Sequence, residues 1–150
     1  MDFKEKIKTA KRIVFKFGTN VLSREDGSIS LSRIYSFIED IVDLKKQGKE
    51  IIIVTSGAIG LGSQKLKMEK PTLVSLKQAC AAVGQGRLMY IYEEGFDKFN
   101  ITTAQVLLTE EDFTLRKKYL SLRNALNELL ELDVIPIINQ NDTVSTSEVE

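Results

Sequence analysis

The run Ile51-Ile52-Ile53-Val54-Thr55, breaking into Ser56-Gly57-Ala58-Ile59-Gly60, constrains the fold more than any other stretch of the chain. Successive β-branched residues without polar alternation describe a strand covered on both faces, as in a parallel sheet between helices. The small residues after it then lie at the strand's carboxyl end. In open α/β sheets ligands bind outside those ends, so a hydroxyl, glycines and bare backbone N–H groups there describe a phosphate or carboxylate site. An ordinary strand-to-helix turn leaves the same trace, and this stretch alone keeps both readings open. Two phosphate loops are excluded. Gly57 and Gly62 have P-loop spacing, but Ser63-Gln64 stands where Lys and Ser/Thr are required, and Gly84-Gln85-Gly86 opens a GxGxxG whose third glycine is Met89.

The remaining pattern alternates strands with helices. Ile13 to Phe17 reads as a first strand closed by Gly18-Thr19-Asn20. Ile34, Phe37, Ile38, Ile41 and Val42 recur at helical spacing, with Ser30 as N-cap and Gly48 as the C′ stop. A helix runs from Gly57 toward Lys65, and Thr72 caps a longer one that turns Leu76, Ala79, Cys80, Val83, Leu88, Ile91 and Tyr92 inward. Gly84 and Gly86 each cost that helix about 1 kcal/mol relative to alanine, which implies a close approach or a bend. Ile101 to Leu108 forms a third strand ending at Thr109, Leu115 to Leu132 a further helix, and Val134 to Ile138 a fourth strand. Pro136 places that strand at an edge or a bulge. The alternation predicts a three-layer α/β/α sandwich with a mostly parallel sheet.

A chain of 150 residues with 43% hydrophobic content suffices for one domain with a real core. Lysine plus arginine and aspartate plus glutamate both number 21, and this zero net charge argues against a nucleic-acid surface. The lysine-rich amino terminus lacks a signal peptide's apolar segment and no run reaches membrane-spanning length, so a cytoplasmic protein without membrane or nucleic-acid partners is expected. Cys80 is the single cysteine, which rules out an intrachain disulfide and a cysteine zinc site; no metal-ligand set is assigned. The chain has no histidine, which removes triads and imidazole bases and leaves chemistry that positions anions and neutralises charge. Lys16, within an apolar strand, either reaches a site at the sheet edge or snorkels to solvent. Lys16, Ser56-Gly57, Thr109 and Asn139 to Asp142 all fall at or just past strand carboxyl ends. One edge therefore collects a cation, hydroxyls, amides and an Asn/Asp cluster suited to a zwitterionic substrate beside a phosphate.

Along almost its whole length the chain resembles the glutamate 5-kinase branch of the amino-acid kinase family. The resemblance is carried by Phe15-Lys16-Phe17-Gly18-Thr19-Asn20-Val21-Leu22, Val54-Thr55-Ser56-Gly57-Ala58-Ile59, Ala81-Ala82-Val83-Gly84-Gln85, Leu107-Leu108-Thr109 and Ile138-Asn139-Gln140-Asn141-Asp142-Thr143-Val144. Ser-Gly-Ala-Ile at the central turn separates this branch from relatives with histidine-and-glycine-rich or GGGN-like turns. The resemblance implies the carbamate kinase-like fold and transfer of the γ-phosphoryl group of ATP, with Mg²⁺, to the side-chain carboxylate of L-glutamate, which opens proline biosynthesis. It implies Lys16 as the catalytic residue, Lys16 and Gly18 as ATP-binding, and Ser56, Gly57, Ala58, Asn139 and Asp142 as substrate-binding, with Asp142 on the α-ammonium. It further implies homo-oligomers and feedback inhibition by proline, to which Asp112 and Glu148 correspond in position. Gln140 stands where glutamate is commoner.

The family pattern continues past Asn-Asp-Thr into a Gly-Asp-Asn-Asp-like motif and an ATP-binding half with a second phosphate lysine. Residues 1–150 therefore read as the N-terminal, glutamate-binding portion without the ATP-binding portion, either cut from a longer product or an incomplete gene product. That piece alone is expected to lack measurable kinase activity and to self-associate or be unstable. Alternatives are a non-catalytic glutamate- or proline-binding or oligomerising fragment, or another acyl-phosphate-forming amino-acid kinase.

Overall fold

The computed structural model describes residues 2–144. Its elements are α1 (Phe3–Thr9), β1 (Arg12–Phe17), α2 (Thr19–Leu22), α3 (Leu31–Lys46), β2 (Glu50–Thr55), α4 (Ala58–Lys65), α5 (Val74–Asp97), β3 (Thr103–Leu108), α6 (Glu111–Thr114), α7 (Arg116–Glu131) and β4 (Ile135–Gln140). The four strands form one sheet in the order β1-β2-β4-β3, with every pairing parallel. The connections β1 to β2 and β2 to β3 travel one way across the sheet, and β3 to β4 returns. Right-handed crossovers then put the helices of the first two connections on one face and that of the third on the other.

Burial follows this geometry. Ile51 and Ile53 of β2 and Ile135 and Ile137 of β4 join Ile34, Ile38, Ile41 and Val42 of α3 and Leu88, Ile91 and Phe96 of α5 in one buried cluster. Burying each such side chain fully contributes about 1.5–3 kcal/mol. Ile52 and Leu130, also buried, stand outside that cluster, in keeping with α7 packed against β4 on the second face. Val14, 57% exposed, and Lys16 share the second face at the β1 end, where the sheet stays open to solvent. The three layers match the sandwich expected from the sequence, with the second helical layer narrower than the first.

Several local expectations are corrected. Pro136 lies in a central strand. Ile135 donates its N–H to the Thr102 carbonyl on the β3 side at 3.0 Å, so the next nitrogen, that of proline, faces β2. Pairing with β2 begins only at Ile53 opposite Ile137, so the missing donor costs no ladder bond. Ser30 and Leu73, not Thr72, are the residues at the starts of α3 and α5, and neither makes a side-chain capping bond; the Ser30 hydroxyl pairs instead with that of Ser32 at 3.1 Å. Leu76, Ala79 and Val83 face solvent, while Cys80, Leu88, Ile91 and Tyr92 turn inward as expected. Gly48 ends α3 with φ 82°, the left-handed stop that glycine supplies.

Glycine draws α4 and α5 together. A Cβ on Gly62 would lie 1.8 Å from the Cys80 carbonyl oxygen, and one on Gly84 would lie 1.7 Å from that of Ala58. Backbones meet directly at these two points, and α5 continues through Gly84 unbroken. Gly86 faces open space and makes no such approach.

Candidate active site

Because all strands are parallel, their carboxyl ends share one edge, and the residues singled out from the sequence gather there. Lys16 is exposed on β1 and lies in register with Val54 of β2. Gly18 begins α2 with ordinary backbone angles, and no atom lies within 4 Å of where its Cβ would be. Neither conformation nor protein packing calls for glycine at this position.

Ser56 binds two turns together. Its N–H and its hydroxyl both donate to the Phe17 carbonyl, at 3.0 and 3.1 Å, and the Thr19 hydroxyl lies 3.1 Å from its Oγ. With its own proton given to Phe17, Ser56 accepts from Thr19. The serine expected to touch substrate is thus engaged by the protein, and donating to a ligand would mean exchanging the Phe17 bond. Gly57 has φ 108° and precedes α4, a conformation that L side chains rarely adopt. Ala58 is buried against α5. The first bond of α4 runs from the Leu61 N–H to the Gly57 carbonyl at 2.9 Å, which leaves the N–H groups of Ala58, Ile59 and Gly60 without intrahelical acceptors. Such groups, at the positive end of a helix, suit an anion.

On β4 the side chain of Asn139 shares the face of Ile135 and Ile137, opposite to that of Lys16. Its Oδ1 accepts from the Gln140 N–H at 2.9 Å and its Nδ2 donates to Gln85 Oε1 at 2.8 Å; Gln85 in turn donates to Gln105 at 3.0 Å. The backbone N–H sets the orientation of every amide in that chain. Asn139 is 4% exposed, so its contact with a ligand is limited to its outer edge. Asp142 lies half-buried in the turn beyond β4, its N–H bonded to the Gln140 carbonyl at 3.0 Å. The structure therefore brings Lys16, Gly18, the Ser56 to Ala58 turn, Asn139 and Asp142 to one edge, but divides Lys16 and Asn139 between the two faces.

Sequence reading missed a cavity of about 460 Å³ on the Lys16 face. Val54, Leu108, Ile138 and Phe113 supply its apolar walls, with Thr109 and Glu110 among its polar groups. It lies at the carboxyl ends of β2, β4 and β3, the edge of the sheet at which open α/β folds bind ligands. Asp112 braces this region, accepting from the N–H and the hydroxyl of Thr109 at 2.6 and 3.0 Å. Those bonds hold its carboxyl below the ordinary value. The signal for the cavity was weak, since Phe113 lies on a one-turn helix without periodicity.

Among the described residues no group of three or more His, Cys, Asp or Glu is placed to hold a metal ion, and no helix is long and apolar enough to cross a membrane. Glu148 lies outside the described residues.

The parallel α/β sheet gathers a glycine turn and a lysine at its carboxyl edge, and the amino acid kinase family matches residues 11–149. The chain belongs to that family. Its sequence is similar to the glutamate 5-kinases: that of Caldanaerobacter subterraneus subsp. tengcongensis is 48% identical over 140 residues, covering 93% of this chain and 38% of that protein. The glutamate 5-kinase of Methanococcoides burtonii is 45% identical over 148 residues, 98% of this chain and 40% of the relative. The chain spans about two fifths of the length of these curated relatives. Solved structures with the same fold include Giardia carbamate kinase, with a TM-score of 0.54 at 15% identity over 87% of this chain and 58% of that one. UMP kinase from Ureaplasma parvum gives 0.52 at 18% identity over 86% and 55%.

Proposed function

We propose that the protein carrying this chain phosphorylates the γ-carboxylate of L-glutamate with ATP, giving glutamyl 5-phosphate and ADP. The observation that supports the reading best is 43–48% identity to glutamate 5-kinases along 93–99% of the chain. The chemistry of the edge agrees. A glutamate side chain, with a reference pKa of about 4.3, is already ionised at pH 7, so its oxygen attacks phosphorus without a general base. A chain lacking histidine meets that requirement.

The work left to the protein is to hold two anions in line and offset their charge. Lys16 neutralises charge on the phosphoryl oxygens, and the amides beginning α4 donate to them. Asp142 and the outer edge of Asn139 hold the amino-acid end of glutamate. The space over Gly18 and the cation at Lys16 fit the phosphate end of a nucleotide. Bound ATP would supply the activated phosphoryl group, and Mg²⁺ carried on its phosphates would offset part of their charge. Homo-oligomers, and proline as an inhibitor acting near Asp112, belong to the same proposal.

The test is ADP release by the whole protein across a panel of acids. Turnover with L-glutamate and none with carbamate or aspartate is expected; turnover with another acid and none with glutamate would overturn the assignment in favour of a different acyl-phosphate-forming kinase. Binding of glutamate without turnover would favour a non-catalytic module.

A further inference from the structure

Tyr92 is 1% exposed in the core, one turn of α5 before Phe96, which is equally buried without a hydroxyl. Its phenol oxygen lies 2.8 Å from Thr55 Oγ1, and Thr55 donates to the carbonyl of Ser56 at 3.1 Å. A threonine hydroxyl has one hydrogen. With that hydrogen on the Ser56 carbonyl, Tyr92 is the donor to Thr55. Burial pushes the phenol up to about 12, so it remains a protonated donor across the neutral range. Donation thus runs from Tyr92 through Thr55 to the peptide that joins Ser56 to Gly57.

That peptide is trans, so its carbonyl and its N–H point in opposite directions. With the Ser56 carbonyl held by Thr55, the N–H of Gly57, itself a buried residue, points away from Thr55. Among the described residues no backbone hydrogen bond engages it. It adds to the N–H groups of Ala58, Ile59 and Gly60, which have no intrahelical acceptor.

We propose that Tyr92 is a positioning residue for the anion-binding turn, acting through Thr55 to hold the Gly57 N–H toward an oxygen of the anionic substrate. In its kinetic consequence this rests on the glutamate kinase reading; in its structural consequence it stands alone. A phenylalanine would fill the same space and leave Thr55 free to turn its hydroxyl elsewhere. The peptide would then lose its fixed orientation, and an amide has to be aimed in advance to stabilise developing charge.

The test compares Tyr92→Phe, Thr55→Val, the double variant and Thr55→Ser in the whole protein. It reads melting temperature, kcat and KM for glutamate and ATP, and the Gly57 amide resonance in ¹⁵N-glycine-labelled protein. Tyr92→Phe and Thr55→Val are each expected to lower kcat/KM by about tenfold, the double variant no further than the worse single one, and Thr55→Ser close to wild type. The Gly57 resonance should shift in Tyr92→Phe. A fall in melting temperature with unchanged kcat, KM and Gly57 resonance would overturn the proposal, leaving Tyr92 a packing residue. Losses that multiply in the double variant would also overturn it. If the wild type does not phosphorylate glutamate, the functional reading falls, and the Gly57 resonance alone decides whether Tyr92 sets the turn.

Discussion

Exchanging glycine for alanine at two positions two residues apart in α5 should move stability in opposite directions. At Gly84 the new Cβ would lie 1.7 Å from the Ala58 carbonyl oxygen and 2.6 Å from the Gly62 nitrogen, whereas ordinary contact is 3.4 Å or more. The atoms it meets are backbone, which cannot rotate aside, so α4 must withdraw by well over an ångström. Overpacking of flexible side chains costs about 1–3 kcal/mol, and a backbone clash lies at or beyond the upper end. Alanine returns about 1 kcal/mol through helix propensity, already counted in a net loss of about 3 kcal/mol. For a domain of this size that lowers the melting temperature by about 6–12 °C. At Gly86 nothing lies within 4 Å, so Gly86→Ala keeps the whole propensity gain, about 1 kcal/mol and about 2–4 °C upward. Thermal and denaturant melts followed by circular dichroism read both variants. A Gly84→Ala protein as stable as wild type, or a Gly86→Ala protein that melts early, would refute the glycine-mediated contact of α4 with α5.

Lys16→Ala in the whole protein should lower kcat by about 10²-fold or more with a smaller change in glutamate KM, as expected for a charge felt in the transition state; an unchanged kcat would make Lys16 an edge-strand residue only. Asp142→Asn should give the reverse pattern, a raised glutamate KM with kcat largely kept, and an unaltered KM would remove Asp142 from the ammonium site. Asp112, held by Thr109, should titrate below its ordinary value of 3.8, followed by carboxyl-carbon NMR. Because its pKa is depressed on folding, its contribution is complete above the ordinary value and disappears as pH falls through the folded one. Thr109→Val, which removes the hydroxyl and keeps the backbone N–H, should move that pKa part of the way back up; an unmoved pKa would mean the hydroxyl bond is not formed in solution.

The strands and helices were legible because their apolar periods are strong, and Gly57 was legible because strand, small residues and helix follow in immediate succession. Other features depend on information that no period carries. Pro136 reveals a missing donor but not which side of the strand it leaves, and only the short β2–β4 ladder made a central position possible. Along α5 apolar residues occupy more than one face, so spacing could not decide that Cys80 and Leu88 turn inward while Leu76 and Val83 turn out. Gly84 declared a close approach without naming Ala58 as its partner. Alternation along β4 did carry the face of Asn139, together with Ile135 and Ile137, yet its amide chain to Gln85 joins residues 54 apart. Tyr92 was legible as core; the acceptor of its hydroxyl was not.

The most direct measurement follows an oxygen atom. L-Glutamate carrying ¹⁸O in its γ-carboxylate is incubated with ATP and Mg²⁺ in the whole protein, the acyl phosphate is cleaved with hydroxylamine, and the released phosphate is examined by ³¹P NMR. Attack of the carboxylate on phosphorus makes the glutamate oxygen the bridge, and hydroxylamine displaces that bridge at carbon. One ¹⁸O in each phosphate, in step with ADP formed, is the expected result. Unlabelled phosphate, or label appearing in AMP, would contradict γ-carboxylate phosphorylation at this edge.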